Sequence, residues 1–102
     1  MKVYVAHPLR GNPAENTRKA TEICRKLAAE KQIQLFSPLH AFGFISAEDD
    51  QRQVMNWCID ELLGCDELWV YGNSEDVRNS KGVQAEIAVA EAAGIPVWIN
   101  GR

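Results

Sequence analysis

Apolar residues along this chain switch repeatedly between a period of two and a period near 3.6. Residues 2–6, Lys-Val-Tyr-Val-Ala, are β-branched and aromatic, and Pro8 stops them, so they predict a first strand. Behind it Ala20, Ile23, Cys24, Leu27 and Ala28 recur at i, i+3, i+4, i+7 and i+8, one face of a helix. Asn12-Pro13-Ala14-Glu15 marks its start: Asn12 caps, Pro13 fits the first helical position, and Glu15 completes a capping box. Ile33-Gln34-Leu35-Phe36 predicts a short second strand, ended by Ser37-Pro38. Residues 39–48 read as an irregular loop rich in aromatics (His40, Phe42, Phe44). At its end Ser46-Ala47-Glu48-Asp49 resembles a second capping box. It leads into a helix with Val54, Met55, Cys58, Ile59 and Leu62 on one side, ending near Gly64. Asp66 to Tyr71 predicts a third strand, closed by Gly72, and a polar loop follows at 73–79. Ser80 caps a third helix that Gly94 stops, and Ile95-Pro96-Val97-Trp98-Ile99 is a fourth strand whose proline suits a strand start or an edge.

Strands joined by helical crossovers run parallel with right-handed connections. The expected fold is therefore α/β: a doubly wound, flavodoxin- or Rossmann-like parallel sheet of about four strands with three helices. Such sheets bind ligands beyond the carboxyl ends of their strands. That draws attention to His7–Asn12 after the first strand and Gly72–Ser80 after the third.

Composition narrows the function classes. With 102 residues and no linker, repeat or low-complexity stretch, residues 1–102 are expected to form a single domain. A net charge of −3 gives no general attraction to a nucleic-acid backbone, so no nucleic-acid polymer is expected as partner. No apolar run reaches a membrane-spanning length, and the apolar stretch at the N-terminus is too short for a signal peptide. Cys24, Cys58 and Cys65 are odd in number and lack metal-type spacing. They read as reduced thiols of a cytoplasmic protein, with no metal and no cofactor expected.

The third helix is apolar almost all round, and Glu86 interrupts it on the line of Val83 and Ala90. Burial would raise its pKa, while the exposed N–H groups and dipole of the early helix oppose that shift. A carboxylate so held at a crevice edge is a candidate nucleophile or base; half-exposure, or pairing with a Lys or Arg, is the alternative. Glu91, about 140° around, points to solvent. Ser80-Lys81-Gly82 offers free N–H groups and a glycine suited to an anion, or else an ordinary helix cap. Arg10-Gly11 reads either as a phosphate contact or as a solvated turn.

Several of these segments together resemble one family. Val3 to Gly11 is similar to the first strand and loop of the nucleoside 2-deoxyribosyltransferase superfamily, and Cys65 to Gly72 to its third strand. Ser80-Lys81-Gly82-Val83-Gln84-Ala85-Glu86-Ile87 resembles its Ser-x-Gly-x-x-x-Glu-Ile helix start. The likeness extends to small phage and bacterial members and to nucleotide N-glycosidases. The resemblance implies cleavage or transfer at the N-glycosidic bond of a nucleoside or nucleoside 5'-monophosphate through a glycosyl-enzyme intermediate. Glu86 would be the nucleophile and Tyr4 the residue that positions it. Ala6, His7, Arg10, Gly11, Ser80 and Gly82 would bind substrate, the last four around its 5' end. A nucleoside or nucleotide is the implied small-molecule partner, and a homodimer or higher homo-oligomer the implied assembly.

Two residues depart from the family pattern. Counting back eight positions from Asp66, Cys58 stands where the family usually has an Asp that protonates the leaving base. A neutral thiol substitutes poorly at pH 7, and Asp60, about 200° around the helix, faces elsewhere. His7 replaces a small residue and reads either as a proton source or as a neutral loop histidine. Beside the enzyme, the expectations therefore include a catalytically weak nucleotide-binding module of the same fold. A third is an interaction protein using Phe42, Phe44 and Trp57.

Overall fold

A computed structural model describes residues 1–46 and 49–100. The elements are β1 (Lys2–Ala6), α1 (Pro13–Glu30), β2 (Gln34–Phe36), α2 (Pro38–Ala41), α3 (Arg52–Leu63), β3 (Glu67–Val70), α4 (Ser74–Asn79), α5 (Lys81–Ala93) and β4 (Val97–Ile99). The four strands form one parallel sheet in the order β2-β1-β3-β4. The winding reverses between β1 and β3, which is the switch point of a doubly wound sheet. Val3 of β1 sits opposite Leu35 on one side and Glu67 on the other.

β1 lies between two strands and under helices on both faces, so Val3, Tyr4, Val5 and Ala6 are all buried. Alternation divides them. Tyr4 and Ala6 join Leu62, Leu68, Val70, Val83 and Ala90 in the core beneath α3 and α5. Val3 and Val5 join Leu27 and Trp69 in the core beneath α1.

Among the described residues there are five helices where the sequence pattern predicts three. Residues 73–79, expected as a loop, contain α4, capped where the Asp76 amide donates to Asn73 Oδ1 at 2.8 Å. Residues 39–48, also expected as a loop, begin with the last part of α2, which Pro38 opens. Both helices are short, and only Val77 and Pro38 within them are buried, so neither leaves an apolar period in the sequence.

Three further expectations change. Asn12 caps α1 by accepting from the Glu15 amide, but the Glu15 carboxylate turns to Arg18 instead of closing a box. In the Ser46–Asp49 motif the Ser46 amide donates to Asp49 Oδ2 at 3.0 Å. Helix α3 starts only at Arg52, without a side-chain cap; Ala47 and Glu48 of the motif lie outside the described residues. Ala28 is exposed, because an 18-residue helix spans about 27 Å and overhangs strands of three to five residues. No helix among the described residues is long and apolar enough to cross a membrane.

Two glycines shape the chain ends of these elements. Gly94 stops α5 in the left-handed region, at φ +75°. Gly72, at φ +129°, brings the loops after β1 and β3 together: a Cβ there would stand 3.1 Å from Pro8 Cδ and 3.3 Å from Val77 Cγ2.

Candidate functional site

Helix α5 lies on α3 and on the sheet, which buries the line Val83, Glu86, Ala90. Glu86 is 5% exposed and is the one buried carboxylate among the described residues. Its partner comes from the central strand: Tyr4 Oη donates to Glu86 Oε2 in a buried hydrogen bond. The thiol of Cys58, on α3, is buried in the same core cluster and acts on the same Tyr4 hydroxyl. A carboxylate, a phenol and a thiol thus meet where α3, α5 and β1 converge.

Burial sets the protonation of all three. It pushes the Glu86 carboxyl up to about 7, with the Tyr4 hydrogen bond pulling the other way. Burial and the neighbouring Glu86 charge raise the Tyr4 phenol far above its usual range, so it stays protonated. The Cys58 thiol is pushed up to about 11, again by burial first, with the nearby Tyr4 hydroxyl pulling the other way. A carboxyl that titrates near neutrality beside a permanent donor can act as base or, once ionised, as nucleophile.

The other candidate residues distribute around this pair. Ala6 is buried on Tyr4's face of β1. Ser80 is the cap of α5, its Oγ accepting from the Val83 amide at 3.2 Å. Gly82 lies in the first turn, where a Cβ would sit 3.5 Å from Met55 Cε on α3. Arg10 and Gly11 form an exposed turn after β1, with Gly11 at φ +99°.

His7 is placed apart from Glu86. It is buried, and strand alternation turns it toward α1. There it lines a cavity of about 300 Å³ with Lys19, Tyr71, Asn73, Asp76 and Asn100. Its Nδ1 lies 2.7 Å from the Pro8 carbonyl oxygen and donates to it, which leaves Nε2 as the acceptor of the neutral ring. This cavity stands at the carboxyl ends of β1 and β3, at the switch point, but neither Tyr4 nor Glu86 lines it.

Sequence reasoning missed Asn16. It is buried, and its Nδ2 donates to the carbonyls of Leu9 (3.0 Å) and Arg10 (3.3 Å), fastening the loop after β1 to α1. The signal was present: Asn16 shares the helical line of Ala20, Ile23 and Leu27, a polar residue on an apolar stripe. Phe42 and Trp57, weighed as a partner surface, pack on each other with ring centroids 5.4 Å apart. Phe36 links Phe42 to Tyr4, while Phe44 is 75% exposed.

A family model described as a domain of unknown function (DUF7768) matches residues 1–100. No curated protein matches the chain. Among solved structures it is similar to a 2-deoxyribosyltransferase from Bacillus psychrosaccharolyticus, at 17% identity and a TM-score of 0.67, over 97% of this chain and 71% of that one. It is similar to a conserved protein from Enterococcus faecalis V583, at 25% identity and a TM-score of 0.69, over 97% of this chain and 62% of that one. It is similar also to a 2-desoxiribosyltransferase from Leishmania mexicana, at 20% identity and a TM-score of 0.65, over 96% of this chain and 62% of that one. The chain thus spans 62% to 71% of the length of these three, and its fold is the one they share.

Proposed function

The chain belongs to the DUF7768 family, and we propose that it cleaves or transfers at the N-glycosidic bond of a nucleoside or nucleoside 5'-monophosphate. The observation that carries this reading is the buried Tyr4–Glu86 pair, set in a fold shared with 2-deoxyribosyltransferases. Tyr4 holds Oε2 of Glu86, which leaves Oε1 for the anomeric carbon. Attack there forms a C1'–O bond as the C1'–N bond breaks, and the electron pair departs with the base. Water or a second base then attacks C1' and releases the carboxylate.

Substrate must reach a carboxylate that is 5% exposed, so binding has to part the side chains over it. Ser80, Gly82, Arg10 and Gly11 are assigned to the 5' end of the sugar, where the start of α5 favours an anion. Ala6, on Tyr4's face of β1, completes the set of substrate contacts, while His7 opens on the α1 side. The chain is read as a single cytoplasmic domain, in keeping with three free cysteines, and as a homo-oligomer that light scattering at micromolar concentration would reveal.

Cys58 favours a second reading, a nucleotide-binding module with weak chemistry. Its thiol, pushed up to about 11, gives a departing base little help as an acid. One experiment separates the two. The protein is incubated with nucleosides and 5'-monophosphates, with and without an acceptor base, while thermal stabilisation is recorded on the same panel. Base release abolished by Glu86→Ala supports the enzyme. Stabilisation without turnover, kept in Glu86→Gln, supports the module, and neither effect on any member of the panel refutes both.

A further inference from the structure

A second cavity, of about 430 Å³, lies between α1, α2 and the edge strand β2, and neither Tyr4 nor Glu86 lines it. Leu35, Phe36 and Ala41 give it apolar walls, and Arg25 supplies a cation. Four polar side chains also line it, and three of them are joined in a chain.

Ser37 stands at the junction of β2 and α2, and its hydroxyl does not cap the helix it precedes. Instead Ser37 Oγ lies 2.6 Å from His40 Nδ1. On the far side of the ring, His40 Nε2 lies 2.7 Å from Thr21 Oγ1. Thr21 donates its single hydroxyl proton to the Thr17 carbonyl at 2.8 Å, so it must accept from Nε2–H. In the neutral ring Nδ1 is then the acceptor, and the proton it receives is that of Ser37. The hydrogen-bond inventory thus fixes both the tautomer and the direction: hydroxyl to imidazole, imidazole to an orienting threonine. That is the order of a nucleophile, its base and the group that holds the base. Cys24 also lines the cavity, but burial pushes its thiol up and keeps it protonated, leaving the hydroxyl as the group with a base.

We propose that Ser37 is a nucleophile activated by His40 and oriented through Thr21, and that this cavity takes small carboxylic esters. The acyl chain lies on Leu35 and Phe36, with Arg25 the cation available to the carbonyl oxygen as it gains charge. Ser37 Oγ bonds to the carbonyl carbon while its proton passes to His40 Nδ1. The ester C–O bond then breaks, and the alcohol leaves with that proton. Water, deprotonated by His40, attacks the acyl-serine and releases the carboxylic acid and free Ser37.

The test uses p-nitrophenyl butyrate as substrate and a fluorophosphonate as covalent probe, with peptide mapping by mass spectrometry. The expected result is a single adduct, on Ser37, formed in step with loss of p-nitrophenyl butyrate hydrolysis. Ser37→Ala and Ser37→Gly should both abolish adduct and turnover while circular dichroism stays that of the parent chain. His40→Gln should slow labelling about 100-fold. Thr21→Val should slow it less and move the pH dependence of labelling. No adduct, an adduct on another residue, or labelling that survives both Ser37 substitutions overturns the proposal. Nucleoside cleavage is read in a separate assay, so either reading can fail alone.

Discussion

Tyr4 gives its only hydroxyl proton to Glu86, a residue 82 positions away in sequence. The bond joins the central strand to α5 inside the core, where neither group has solvent to turn to. The Glu86 carboxyl is consequently held between two opposing effects. Burial favours its neutral form, and the phenol favours its charged form.

Removing the phenol should tip that balance. In Tyr4→Phe the desolvation remains and the hydrogen bond is lost, so the Glu86 titration midpoint should move above the parent's value of about 7. A carbon-13 NMR titration of labelled glutamate reads this directly. An unchanged or lower midpoint would show that Tyr4 does not hold the carboxylate.

The same carboxyl should make stability depend on pH. Its folded pKa of about 7 is raised above the unfolded value, so the native state binds more protons in between, and stability falls as pH rises through that window. The contribution is fully present below the unfolded pKa and is lost by the time pH passes the folded one. Its size is at most about 3 kcal/mol, from 1.36 kcal/mol per unit. Urea denaturation at pH 5 and at pH 8 should show the parent chain losing stability relative to Glu86→Gln. A difference between the two proteins that does not change with pH would contradict this.

Asn16 should matter for order in the loop after β1. Asn16→Leu strands the Leu9 and Arg10 carbonyls that its amide now satisfies. A loss of about 1–3 kcal/mol is expected, with faster amide exchange around Arg10 and Gly11. Exchange unchanged in that loop would mean the contacts do not fasten it.

Two glycines make a matched comparison. Gly72→Ala places a Cβ at φ +129° and against Pro8, and should destabilise by more than about 1 kcal/mol. Gly64→Ala faces an ordinary φ of −92° and nothing nearer than 3.5 Å, and should be close to neutral. Equal thermal shifts for the two variants would defeat the argument from close approach.

The periodic parts of the chain were legible in sequence and the aperiodic parts were not. The alternation in β1 and the apolar lines of α1, α3 and α5 mark sides that face the sheet, so their spacing carries the parallel fold. Glu86 stood out for the same reason, as a charge on the line of Val83 and Ala90, and the structure buries it. Helix α4 left no such trace, since a six-residue helix that buries only Val77 needs no apolar stripe. The cavity beside His7 was hidden for a different reason. Its walls come from α1, α4 and the loops after β1, β3 and β4, and only the assembled sheet brings those segments together. Cys58 is intermediate: its position was readable by counting from Asp66, but its contact with Tyr4 depends on how α3 lies over β1.

The alternation of β1 reaches beyond packing. Tyr4 and His7 sit three residues apart and look into opposite layers of the molecule, one toward α5 and the other toward α1. The strand and the residue that follows it therefore equip two separately furnished rooms. Mutational drift on the α1 side can remodel the His7 cavity without disturbing the carboxylate on the other side, and the reverse holds as well. An insertion of a single residue in β1 would exchange the contents of both at once.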